Sequence, residues 1–214
     1  MKKIVIYGSG GFAREVVHLI EDINRNSGEW EIIGFLDDNM DNHGLKVNEL
    51  PVLGGAEWLE GKNNIHVVLG IGSPKAKKAI VTKLSKYEHV IYPNLIHPAV
   101  TFSRFNTIGQ GNIICEGNVL TVNIDIENFT IINLNCTIGH DVTVKNYTTI
   151  LPNSSVSGDV VFEEGVDFGT NATIIQGITI GDWTIVGAGA VVVKDLPAKC
   201  TAVGAPAKPI KFHE

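Results

Sequence analysis

Residues 132–150 read INLNCTIGHDVTVKNYTTI, with an apolar residue at every sixth place: Ile132, Ile138, Val144 and Ile150. The pattern extends in both directions without a break. It runs through Ile96, Phe102, Ile108, Ile114, Leu120 and Ile126 on one side, and through Val156, Phe162, Phe168, Ile174, Ile180, Val186 and Val192 on the other, seventeen positions in one phase. At 44% hydrophobic composition, chance fills seventeen consecutive places about once in a million trials. An amphipathic helix returns its apolar face every three to four residues and a half-buried strand every two, so neither produces this period. A coil of short strands does. Each hexapeptide supplies one short strand and one turn, its apolar residue points into a prism-shaped core, and three hexapeptides close a coil. From Thr130 onward the place four after each anchor is small or β-branched, as in Cys136, Val142, Thr148, Ser154 and Ala172, which suits a tight inner corner. The anchors predict about five and a half coils with no interrupting loop. A stack leaves an unpaired rung at its end, so residues 195–214 are expected to cap it.

The first ninety residues obey a different rule. Ile4-Val5-Ile6-Tyr7 is a short apolar strand followed by Gly8-Ser9-Gly10-Gly11 and a helical spacing of Ala13, Val16, Val17, Ile20 and Ile23 over residues 12–24. A second strand, Glu31 to Leu36, ends in Asp37-Asp38, and a third, from His66, ends in Gly70-Ile71-Gly72 before a predicted helix from Pro74 to Lys86. This alternation predicts a small Rossmann-like α/β domain over residues 1–93, and the β-helix over 94–214, with the boundary in Pro93-Asn94-Leu95-Ile96-His97-Pro98. The N–H groups of a glycine-rich turn at a helix start make an anion site, and carboxylates after the second strand can take a ribose hydroxyl or a base edge. Gly10, Gly11, Asp37 and Asp38 are candidates on that ground, although the turn lacks the full dinucleotide fingerprint.

Charge and cysteine content narrow the function classes. A net charge of -6 supplies no basic stripe for a phosphate backbone, which argues against nucleic acid. Three cysteines, Cys115, Cys136 and Cys200, with no paired spacing, argue against a disulfide framework and a zinc site, and point to a reducing, cytoplasmic setting. No apolar run is long enough for membrane insertion.

In the six-residue phase His140 falls two places after Ile138, outside the core and facing a groove. Imidazole takes a proton near neutrality, and a carboxylate on its other ring nitrogen fixes the tautomer; Asp141 is the nearest one. Cys136 falls on an inner corner and reads as a buried structural thiol. His97, beside Pro98, reads as a packing residue at the boundary. A metal-dependent hydratase on the same prism would need three histidines, and only His97 and His140 fall within the coils. An oxidoreductase using the glycine turn for NAD would need a larger α/β half.

The ordered set Tyr7-Gly8-Ser9-Gly10-Gly11 with Arg14-Glu15, Phe35-Leu36-Asp37-Asp38, Gly70-Ile71-Gly72, Leu95-Ile96-His97-Pro98, Ile138-Gly139-His140-Asp141 and Val203-Gly204-Ala205-Pro206-Ala207-Lys208 resembles the bacterial sugar acyltransferases of the sialic-acid O-acetyltransferase and UDP-N-acetylbacillosamine N-acetyltransferase type. The resemblance implies a left-handed parallel β-helix, a homotrimer, and acetyl-CoA in the grooves between neighbouring β-helices, with no metal. It implies His140 as catalytic base with Asp141 behind it, and Gly10, Gly11, Asp37, Asp38 and Gly72 as nucleotide-sugar positions. It also implies Gly158, Thr170 and Ala188 as acetyl-CoA contacts. Two places depart from the family pattern, which often has histidine where this chain has Phe12 and Thr149; the Thr149 hydroxyl stands where that second donor would be. The expected activity is acetyl transfer to a nucleotide-linked sugar, most directly a UDP- or dTDP-linked 4-amino-4,6-dideoxy sugar. A sugar O-acetyltransferase and a non-catalytic nucleotide-sugar-binding scaffold are the alternatives.

Overall fold

A computed structural model describes residues Met1–His213. Its contacts divide the chain into two compact units, Met1–Gly72 with Ala76–Pro98, and Ser73–Lys75 with the chain from Ala99 onward.

The first unit is a parallel α/β domain. Strand β1 (Lys2–Tyr7) buries Ile4, Val5, Ile6 and Tyr7 consecutively, the pattern of a strand covered on both faces. It pairs in parallel with β2 (Trp30–Leu36) on one side and β3 (Ile65–Leu69) on the other, and β4 (Val90–Ile91) adds beyond β3, so the order is β2-β1-β3-β4. Helix α1 (Gly11–Ser27) buries Ala13, Val16, Val17, Leu19 and Ile20, and stops at Gly28, whose left-handed backbone lets its N–H bond the Asn24 carbonyl. Helix α2 (Pro74–Leu84) starts on proline, whose missing N–H costs nothing in a first turn. Both helices differ by a few residues from the spacing-based expectation, at ends that side-chain periodicity does not mark. Gly70 lets α1 approach the sheet: a Cβ there would lie 2.7 Å from Ala13 Cα and 2.8 Å from Ile6 Cγ2. His97 packs within this unit, its Nε2 3.5 Å from Asp22 Oδ2 of α1.

The rest of the chain is a β-solenoid. Every one of the seventeen anchors is the second residue of a two-residue strand, from Leu95–Ile96 to Val191–Val192, making just under six coils. Each strand pairs in parallel with its counterpart one coil on, as Leu120 with Ile138, Ile138 with Val156, and Val156 with Ile174. Anchors from Ile114 to Val192 are buried, while Ile96, Phe102 and Ile108 at the start of the stack are half-buried. The inner-corner residues Thr130, Cys136, Val142, Thr148 and Ser154 are buried as the spacing requires. The last rung is covered as expected: Cys200–Val203 adds in parallel to Ile185–Val186, and Lys208–Phe212 returns antiparallel beside it. Among the described residues no helix is long and apolar enough to cross a membrane.

A second six-residue signal sits in the turns. Three places after the anchor, all fourteen residues from Gly111 to Gly189 have φ between 56° and 77°. Glycine, asparagine and aspartate tolerate this left-handed region and fill most of these places; Phe129, Tyr147 and Trp183 do not favour it. Those three share one column of turns with Gly111 and Gly165, and the Phe129 and Tyr147 rings stack with centroids 5.7 Å apart. The column's glycines make room for the rings, since a Cβ on Gly111 would lie 2.5 Å from Phe129 and one on Gly165 2.3 Å from Trp183.

This separates two glycines of nearly equal φ. Gly165→Ala combines backbone strain with overlap on Trp183 and is expected to cost about 2–4 kcal/mol of unfolding free energy. Gly189→Ala, where a Cβ meets nothing within 4 Å, is expected to cost only about 1 kcal/mol. Denaturant unfolding of the two variants measures the difference, and equal losses would refute the steric account.

Candidate active site

The first unit carries a cleft of about 410 Å³ at the carboxyl ends of β1 and β3, where open parallel sheets place ligands. The structure brings all five nucleotide-sugar candidates to it: Gly10, Gly11, Asp37, Asp38 and Gly72. A Cβ on Gly10 or Gly72 would meet nothing within 4 Å, so these glycines leave open space above their backbone. Phe12, Ile71 and Ile80 add apolar wall. The start of α1 follows Gly10, so one helix N-terminus borders the opening.

The two carboxylates have different tasks. Asp37 faces inward: its Oδ2 accepts from the Ser9 backbone N–H at 3.0 Å and from the Ser9 hydroxyl, and its Oδ1 accepts from the Asn39 N–H at 2.9 Å. Burial pushes this carboxyl up, but the bonds from Ser9, Asn39 and Asn42 outweigh it and hold the group below its usual range. Asp37 therefore braces the glycine turn. Asp38 is the exposed member; its Oδ1 accepts from the Tyr7 hydroxyl and from Lys83 Nζ at 2.6 Å. Burial and then Asp38 push the Tyr7 hydroxyl far above its usual value, so Tyr7 remains the donor. Neither Ser9 nor Tyr7 nor Lys83 was a sequence candidate. Ser9 was legible as the polar residue between two glycines, whereas Lys83 reaches Asp38 from 45 residues away through the packing of α2.

The second site is on the solenoid. His140 follows Gly139 at a turn, and Asp141 occupies the left-handed place with φ 59. His140 Nδ1 lies 2.7 Å from Asp141 Oδ2, and Asn123 Nδ2 donates to Asp141 Oδ1 at 3.1 Å. These bonds from His140 and Asn123 hold the Asp141 carboxyl below its usual range. With Nδ1–H directed at a carboxylate, Nε2 is the acceptor nitrogen. The ring lies over Gly158 of the next coil, where a Cβ would sit 2.5 Å from both Cε1 and Nε2. Both side chains of the pair are 52% exposed in the single chain.

Thr170 and Ala188 are exposed on successive coils of another column of turns, linked by the Gly189 N–H to the Thr170 carbonyl. One chain thus brings Gly158 to His140 but keeps Thr170 and Ala188 at a different corner of the prism. Thr149 is 1% exposed, so its hydroxyl does not reach a groove of the chain. Cys136 is buried, its thiol 3.2 Å from the Leu151 carbonyl oxygen and pushed up to about 11 by burial, which suits a structural thiol and not a nucleophile.

Comparison with known proteins adds three findings. The sequence pattern of the PglD N-terminal domain matches residues 3–84. A putative acetyltransferase of Schizosaccharomyces pombe is 47% identical over 51 residues, which is 24% of this chain, and the chain spans only 25% of that curated relative. Two solved structures match almost the whole chain. The acetyltransferase domain of PglB from Neisseria gonorrhoeae, in complex with acetyl coenzyme A, is 30% identical, with 98% of this chain and 99% of that one covered at a TM-score of 0.88. A variant of perosamine N-acetyltransferase from Caulobacter crescentus, in complex with CoA and GDP-perosamine, is 29% identical, with 98% and 97% covered at a TM-score of 0.88.

The Asp37 brace has a pH signature. Because its folded carboxyl is held below the ordinary aspartate value, its contribution is present above that ordinary value and is lost as pH falls through the folded value. Asp37→Asn is expected to be less stable than the unaltered protein by a constant margin from pH 7 to about pH 5, with the margin shrinking below about pH 4. Denaturant unfolding across that range checks this, and a margin that grows on acidification would refute it.

Proposed function

The chain belongs to the PglD-type sugar N-acetyltransferase family, with its hexapeptide-repeat β-helix, and from that premise we propose that it moves the acetyl group of acetyl-CoA onto the amine of a nucleotide-linked sugar, the UDP- or dTDP-linked 4-amino-4,6-dideoxy type, with His140 as general base. The observation that carries this reading is the 2.7 Å contact of His140 Nδ1 with Asp141, which leaves Nε2 as a proton acceptor on the outer surface of the solenoid.

The chemistry then follows from the residues. The neutral sugar amine attacks the thioester carbonyl carbon while Nε2 removes its proton, and Asp141 stabilises the imidazolium that forms. Negative charge develops on the carbonyl oxygen. The Gly158 N–H, which makes no hydrogen bond within the chain among the described residues, is the candidate donor for it. Collapse of the tetrahedral adduct expels the CoA thiolate, which takes the proton back from His140. No covalent acyl-enzyme is needed, in keeping with the buried Cys136.

Substrate binding divides between the units. The cleft of the first unit, with its open glycine turns and the N-terminus of α1, suits a nucleoside diphosphate, and Asp38 offers an acceptor to base or ribose donors. The Caulobacter relative, solved with GDP-perosamine, supports a nucleotide-linked amino sugar as acceptor. The Neisseria relative, solved with acetyl coenzyme A, supports the donor. Since Gly158 and the Thr170–Ala188 pair stand on different corners of one prism, a single acetyl-CoA touching all three requires two chains side by side, which a homotrimer supplies.

His140→Asn is expected to lower kcat about 10²–10⁴-fold, read as coenzyme A release across a panel of UDP- and dTDP-linked 4-amino sugars. Retained turnover would refute the base assignment, and activity on hydroxyl sugars with silence on every amine would overturn N-transfer. Light scattering is expected to give three chains per particle, and a monomer would remove the shared groove. Gly72→Val fills the open cleft, so calorimetric affinity for UDP or dTDP is expected to fall at least about tenfold with the unfolding midpoint unchanged.

A further inference from the structure

In the His140 corner the left-handed turn place reads Asn123, Asp141, Asp159 and Gly177 on successive coils. Asn123 and Asp141 have φ of 57 and 59, so their side chains leave the backbone in the same sense one strand spacing apart. Asn123 Nδ2 donates to Asp141 Oδ1, and His140 Nδ1 lies against Oδ2 of the same carboxylate. Each carboxylate oxygen thus has its own donor, and together they fix the plane of the group.

Four asparagines at other places of the turns serve the backbone. The side-chain oxygens of Asn106, Asn112, Asn118 and Asn146 accept from the N–H groups of Ile124, Thr130, Cys136 and Asn128 on adjoining coils. The Asn123 side chain, among the described residues, bonds a carboxylate instead.

We propose that Asn123 is a positioning residue for acetyl transfer: its amide turns the Asp141 carboxylate so that Oδ2 meets the His140 Nδ1–H, which keeps Nε2 unprotonated and aimed outward. This inference rests on the reading of His140 as the base. The residue type follows from the site. The left-handed place favours glycine, asparagine and aspartate. Glycine has no donor, and aspartate would set a second negative charge about 4.8 Å along the stack from Asp141. Only asparagine both fits the turn and donates. The charged group at the same place one coil on is Asp159, whose backbone N–H bonds the His140 carbonyl; the imidazole ring lies against Gly158. The lowered Asp141 carboxyl agrees with this arrangement, since the Asn123 bond is its second cause after His140.

Two variants test the proposal in the full chain. Asn123→Gly keeps the turn and removes the amide, and Asn123→Asp keeps the size and replaces attraction by repulsion. With the histidines ¹⁵N-labelled, NMR at a pH where the imidazole is neutral reads the share of the Nδ1–H tautomer of His140. That share is expected to fall in both variants. For acetyl transfer to the amino sugar selected by the coenzyme A release panel, kcat is expected to fall about three- to tenfold with both KM values unchanged. In Asn123→Asp the acid limb of the kcat/KM profile is expected to move to higher pH, because the added charge favours imidazolium. A merely structural role would lower the unfolding midpoint and leave tautomer and pH profile alone. An unchanged tautomer share in Asn123→Gly, or rates within about twofold of the unaltered protein, would overturn the inference. The tautomer measurement needs no substrate, so a failure of the base assignment, seen as an active His140→Asn, is distinguishable from a failure of this one.

Discussion

Parallel pairing between residues eighteen apart governs nearly everything the second unit does. Because Ile138 pairs with Val156 and Val156 with Ile174, every side chain sits directly above or below the residue one coil away. The apolar anchors then form continuous columns inside the prism, and whatever occupies the turns forms columns outside it. A strand of two residues has almost no stability alone; the backbone bonds to the coils on either side and the shared core supply it. An insertion of one residue would break the register of every later coil.

The turn columns turn that register into chemistry. At the aromatic corner, Gly111 and Gly165 are small so that Phe129 and Trp183 can lie across them. At the His140 corner the same geometry places a ring over Gly158, which shows why glycine is required there: any side chain would occupy the space of the imidazole. The left-handed place that permits Asp141 also brings its carboxylate back against the histidine that precedes it. Adjacent residues in an extended strand would point to opposite faces, so the pair depends on the turn.

In the first unit, a polar floor supports an open glycine turn. Asp37 has donors on both oxygens and holds the Gly8–Gly11 segment in place, while Asp38, tied to Tyr7 and Lys83, stays at the rim. Two neighbouring aspartates that look equivalent in sequence thereby acquire separate roles, one inward and one outward. The difference arises because the chain leaves β2 at Leu36 and bends, so consecutive carboxylates face different surroundings.

The solenoid, its phase, its buried Cys136 and the outward place of His140 were all legible in the chain, because they depend on a strictly local period that each hexapeptide repeats. So was the α/β alternation, through apolar runs punctuated by glycine. The left-handed turn ladder was equally periodic, but Phe129, Tyr147 and Trp183 obscure it, since their tolerance depends on glycines one coil away. Only the tertiary structure decided the Lys83–Asp38 and Asn123–Asp141 bonds, the burial of Thr149, and the separation of Gly158 from Thr170 and Ala188. Those facts depend on which residues the coiling and the sheet bring side by side, and proximity across eighteen or forty-five residues leaves no mark on the identity of either partner alone.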